Sequence, residues 1–155
     1  MTTNYANRQV DVHCFYRDAA GRVTLRLALP GEGGQAITGI LRLAQRFTME
    51  LLTERGSMRY LPERGTSLLS RIRSGFIQSP ADFTLALSNA ILEAATNLRQ
   101  EEDENTPADE RLISVDISEA TLGGGRAVAR LYLESAAGTA RTLVLPVALP
   151  LRNAV

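Results

Sequence analysis

Few residues in this sequence have types and spacings that could do chemistry. His13 and Cys14 are the only residues of their kinds and are adjacent, which invites a thiol nucleophile activated by an imidazole. On a strand, however, neighbouring side chains leave opposite faces, so the two could not share a hydrogen bond. A glycosidase needs two carboxyl groups across a cleft, and Glu50 and Glu54, one helical turn apart, are close enough on their helix to be weighed as such a pair. A general acid must have its pKa raised by an apolar pocket. Arg46, four residues before Glu50, predicts a shift in the opposite direction. Stacking aromatics are also scarce, with no Trp, four Phe and four Tyr. A single His and a single Cys do not make a zinc set, and the acidic run EEDENTPAD at 101–109 lacks the Asp/Asn/Gly spacing of a calcium loop. The glycines of PGEGG at 30–34 precede a helix without GK[ST] or any basic residue, so they read as a connector and not a phosphate cradle. No catalytic, cofactor-binding or metal-binding residue is assigned, and the chain is expected not to be an enzyme.

The elements are organised around residues 35–66. Ile37, Ile40, Leu41, Ala44, Phe47, Leu51 and Leu52 recur at spacings of three and four, which predicts an amphipathic helix. Arg42, Arg46, Glu50 and Glu54 form a charged stripe on the opposite face. Gly56 stands where a left-handed C-cap would end the helix, and Pro62 and Gly65 punctuate the turn that follows. Upstream, QVDVHCFY and RVTLRLAL flank the turn signal RDAAGR and predict a β-hairpin over 9–29. Downstream, residues 67–76 hold one short helix ending at Gly75. SPAD at 79–82 then offers Ser79 as N-cap, Pro80 at the first helical position and Asp82 in the first turn. Phe83, Ala86, Leu87, Ala90, Ile91, Ala94 and Leu98 give that second long helix its apolar face, out to about residue 100.

The acidic segment 101–109 reads as an exposed linker. Beyond it the apolar period changes to two, predicting three antiparallel strands over 110–149. Their buried faces are expected to be Ile113, Val115 and Ile117; Ala127, Ala129, Leu131 and Leu133; and Leu143, Leu145, Val147 and Leu149. Pro146 cannot donate to a ladder, so the last strand should lie at a sheet edge. The expected fold is α+β in one domain. It comprises an N-terminal hairpin (9–29), a helical part (35–100) with two main helices and a short one, the linker (101–109) and a three-stranded sheet (110–149).

Composition agrees with this. A chain of 155 residues with 45% apolar and 22% charged residues can bury one core. Seventeen basic residues, all Arg, balance seventeen acidic ones, so no global field favours nucleic acid or an anionic membrane. One Cys cannot form an intramolecular disulfide, which points to a reducing compartment. No leader pattern opens the chain and no apolar run nears the ~20 residues of a spanning helix, so the expectation is a soluble chain made in the cytoplasm.

The stretch LLTERGSMRYLPERGTSL, a helix end followed by Gly56, Tyr60, Pro62 and Gly65, resembles the baseplate wedge and sheath-initiator proteins of contractile-tailed phages and related injection machines. The resemblance covers roughly 35–149 and includes the order helix, Gly/Pro turn, helix, acidic linker, Arg and three strands. Where that family carries Glu-Pro-Arg, this chain reads Asp109, Glu110 and Arg111, with Pro107 nearby.

The resemblance implies a structural protein of the virion tail baseplate, made in the host cytoplasm. It would link the wedge to the contractile sheath by accepting strands from sheath subunits, which is β-augmentation. Implied partners are the tail sheath protein and other wedge proteins, with the tube or the spike and hub proteins as further candidates. Nucleic acid, membrane and cofactors are not among them. The assembly residues expected are Gly56, Tyr60, Pro62, Gly65, Arg111, Thr142, Val144 and Pro146. Arg111, between an acidic linker and an apolar strand, is expected to make charge-assisted contacts that fix the start of the sheet. The alternatives are a small cytosolic α+β binding or regulatory domain, and a cell-wall glycosidase.

Overall fold

The computed structural model describes residues 10–17, 23–25 and 34–148. The fold is α+β. Short N-terminal strands β1 (Asp11–Val12), β2 (Phe15–Arg17), β3 (Val23–Leu25) and β4 (Ala36–Ile37) precede three helices, α1 (Ile40–Leu52), α2 (Leu68–Arg73) and α3 (Pro80–Glu101). A three-stranded sheet of β5 (Leu112–Gly123), β6 (Arg126–Ser135) and β7 (Ala140–Ala148) follows. The pairings between these strands are antiparallel: β2 with β3, β1 with β4, and β5-β6-β7 with β6 in the middle. The helices cover one face of that sheet. Between the two layers, Leu43, Phe47 and Leu51 of α1 meet Leu68, Ile72, Phe83, Leu87 and Leu98 and the β6 row Ala127, Ala129, Leu131 and Leu133. Each large side chain buried there stabilises the fold by roughly 2 kcal/mol.

The second long helix forms as its start signal predicts. Ser79 accepts a hydrogen bond from the Asp82 N–H while the Asp82 carboxylate accepts one from the Ser79 N–H, a reciprocal capping box with Pro80 at N1. All seven residues of its predicted apolar face are buried. β6 likewise buries its whole predicted row, and among the described residues β7 is an edge strand, as expected from Pro146. Leu149 and the connector residues 30–33 lie outside the described residues.

Other expectations need correction. The hairpin expected over 9–29 is present in its inner part as β2 and β3, but Asp11 and Val12 pair with Ala36 and Ile37. The first helix therefore begins at Ile40, after Gly39 at φ 62°, and Ile37 is a buried strand residue. At its other end the helix stops at Leu52 because Thr53 turns extended. The Thr53 carbonyl accepts from the Thr66 N–H at 2.8 Å and the Arg55 N–H donates to the Thr66 carbonyl at 3.1 Å. Gly56 does adopt φ 82°, but inside the loop and not as the helix cap.

On β5, Leu112 is buried and Ile113 exposed, the reverse of strict alternation. Register shifts between Leu112 and Ser114, and again between Ile117 and Glu119, each change which face the following residues take. The acidic segment is only partly an exposed linker. Residues 103–105 are exposed, but Glu102 accepts the Leu112 N–H at 2.7 Å. Ala108–Glu110 make a 3-10 turn that ends in a fully buried Glu110.

Candidate assembly site

The two edges of the sheet differ. At β5, the Leu112 N–H is taken by Glu102, and the Ile113 carbonyl accepts from Arg99 Nη2 at 2.6 Å. Two register shifts twist the same strand, so this edge is blunted by bulges and by side chains of the chain itself. β7 runs as an unbroken ladder with β6 from Glu134↔Ala140 to Arg126↔Ala148, with Pro146 opposite Val128. A ladder that continues past a proline places the proline nitrogen on the free side. Thr142 and Val144 share that parity, so their N–H and C=O groups point outward too.

A cleft of about 570 Å3 runs along this edge, lined by every residue from Arg141 to Val147. Its opposite wall is made by Leu41, Ala44, Gln45, Thr48 and Leu52 of α1, with His13 and Phe15 from the N-terminal strands. The apolar stripe of α1 is thus divided, Leu43, Phe47 and Leu51 entering the core while Leu41 and Leu52 stay half-buried beside the cleft. Gln45 ties the N-terminal strands to this wall, accepting from the Cys14 N–H at 2.7 Å and donating to the Val12 carbonyl at 2.8 Å. Cys14 Sγ donates to the same carbonyl, and burial followed by the Asp11 charge pushes the thiol pKa up.

The remaining predicted residues sit elsewhere. Gly56, Tyr60 and Pro62 belong to an exposed loop, Arg55 to Glu63, and Gly65 is buried at its base. That base is built on Glu50, which is 4% exposed. Its carboxylate accepts from Arg64 Nη2 and Nε at 2.6 and 3.0 Å, from the Gly65 N–H at 2.7 Å and from Asn97 Nδ2 at 2.6 Å. Burial alone would raise its pKa. The Arg64, Gly65 and Asn97 donors outweigh burial and hold the carboxyl below the usual Glu range. The direction expected from the sequence is right, but Arg46 is not the cause, since its guanidinium pairs with Glu101.

Arg111 makes no ion pair among the described residues, and its carbonyl accepts from the Ala136 N–H. The charge-assisted anchor at the start of the sheet is its neighbour Glu110, which binds Arg42 and accepts the Gly39 N–H at 2.9 Å. Neither Glu50 nor Glu110 stood out as a structural post in the sequence, because their partners lie 14 to 71 residues away. Spatially, then, the eight predicted residues fall into three groups: Thr142, Val144 and Pro146 on the cleft, Gly56, Tyr60, Pro62 and Gly65 on or under the loop, and Arg111 apart. Comparison with protein-family models, curated proteins and solved structures finds no match to this chain.

Proposed function

We propose that the chain is a structural adaptor of the baseplate of a contractile machine, joining the wedge to the sheath by accepting an extended strand from a sheath subunit along β7. The observation that carries this reading is the cleft that runs beside a sheet edge unpaired among the described residues and is faced by a half-apolar helix wall. An incoming strand would gain main-chain hydrogen bonds from Thr142, Val144 and the Pro146 carbonyl. Its alternate side chains would meet Leu41, Ala44 and Leu52. Until then Pro146 blunts the edge against indiscriminate pairing.

The glycosidase alternative is disfavoured because Glu50 is buried, paired with Arg64 and shifted in the direction that keeps it ionised.

The test is the double variant Thr142→Pro, Val144→Pro, which removes two outward donors without touching the ladder to β6. The expected result is a folded protein that enters baseplates on which sheath fails to polymerise. Normal sheath on particles shown to contain the variant would place the assembly edge elsewhere, with the N-terminal hairpin at 9–29 as the next candidate.

A further inference from the structure

The loop from Arg55 to Glu63 is exposed along nine consecutive residues, yet its backbone is extensively bonded. The Arg55 N–H donates to Thr66, the Gly56 N–H to Pro62 at 3.0 Å, the Ser57 N–H to Glu54 at 3.0 Å and the Leu61 N–H to Met58 at 3.3 Å. Below it, Arg64 and Gly65 are clamped by Glu50, and Asn97 Nδ2 reaches both Glu50 and the Gly65 carbonyl. The approach is close enough that a Cβ on Gly65 would lie 2.5 Å from the Thr53 carbonyl oxygen.

On this fixed frame Tyr60 is 86% exposed, Leu61 55% and Met58 37%. The Arg59 guanidinium lies over the Tyr60 ring at 5.7 Å and has no carboxylate partner among the described residues. A surface Tyr, Leu and Met held outward by a buried carboxylate gain nothing for the fold of this chain. Aromatic and arginine anchors on a preorganised segment are what a protein interface uses, because the ordering cost has been met before binding.

We infer that the loop Arg55–Glu63 is a preformed docking knob, separate from the β7 cleft, that inserts Tyr60 and Leu61 into an apolar socket of another protein and sets Arg59 against a carboxylate on that socket's rim. The exposed Arg59 cation beside the Tyr60 ring, without a carboxylate partner among the described residues, selects a partner with an acidic rim. The proposal rests on the assembly reading only in placing the socket within the same particle. The two sites have distinct failures: loss of the knob leaves the chain out of the baseplate, and loss of the edge leaves the chain in place without sheath.

The experiment has two arms, run in cells that produce the particle. In the first, Tyr60→Ala, Leu61→Ala is compared with wild type, with melting temperature as the folding control. The expected outcome is an unchanged melting temperature and at least about tenfold less chain in purified baseplates. In the second, p-benzoylphenylalanine at position 60 is irradiated. One adduct is expected, attached at a peptide bearing apolar residues and an Asp or Glu. It is lost with Arg59→Glu and restored when that acidic residue is changed to Arg. Incorporation of the double variant at wild-type level, or an adduct indifferent to Arg59→Glu, overturns the proposal.

Discussion

Asn97 of α3 donates its side-chain amide to Glu50 Oε1 of α1 at 2.6 Å, so the two long helices are joined through a buried carboxylate and not by apolar packing alone. The same oxygen accepts the Gly65 N–H. One side chain therefore sets the distance between α1 and α3 and the position of the loop that leaves them.

Glu50→Gln is expected to cost about 3 kcal/mol at pH 7, because it leaves Arg64, in a partly buried site, with only the more exposed carboxylate of Glu101. The pH dependence has a definite sign. A carboxyl whose folded pKa is depressed contributes stability above its unfolded pKa, and that contribution is lost as pH falls through the folded value. Urea unfolding of wild type and variant should show a gap that is constant near neutrality and narrows below the ordinary Glu pKa of about 4.3. A gap unchanged down to pH 3 would contradict the assignment.

Two loop glycines with similar φ should respond differently to alanine. Gly56 at +82° has open space where a Cβ would go, so Gly56→Ala should cost only the left-handed backbone penalty of about 1–2 kcal/mol. Gly65 at +88° faces the Thr53 carbonyl, so Gly65→Ala adds a steric clash with backbone to the same penalty. Thermal melts of the pair should rank Gly65→Ala clearly below Gly56→Ala. Equal melting temperatures would mean that the loop base can shift without cost.

Adjacent charges at the start of the sheet should also separate. Glu110 is fully buried and paired with Arg42, and Glu110→Gln should destabilise by about 3 kcal/mol. Arg111→Ala should change stability by about 0.5 kcal/mol or less, as a side chain without an ion pair among the described residues. Denaturant midpoints decide this directly, and the reverse order would restore Arg111 as the anchor.

Hydrogen exchange provides a check on the edge. In the isolated protein the amides of Thr142 and Val144 should exchange much faster than those of Leu143 and Leu145, whose donors face β6. In assembled particles all four should be protected. Protection of Thr142 and Val144 in the isolated protein would mean that the edge is already filled.

What the sequence disclosed follows the range of the interactions involved. α3 was legible because its cap, proline and apolar spacing are all local, and β6 because its alternation runs without interruption. β5 was misread at Ile113, since the bulge that turns Leu112 inward depends on pairing with Ser135, not on any residue in β5. Ile37 matched a helical spacing and became a strand residue because Asp11, 26 positions earlier, pairs with it. The charged stripe of α1 was visible, but the burial of Glu50 was not. Its three donors come from a loop and from another helix, and nothing in the residues around position 50 announces them. The open edge was legible from one residue, Pro146, whereas its facing wall required α1 and β7 to be brought together.

The inequality of the two sheet edges has a consequence for counting. Arg99 and Glu102 occupy the start of β5 and two register shifts twist it, so among the described residues β7 is the edge better suited to take an added strand. On the proposed reading, each copy would therefore have a valency of one toward incoming strands. Under the proposed adaptor reading, copies would not chain into a fibre by stacking sheet upon sheet, and a ring of them would capture one arm per copy.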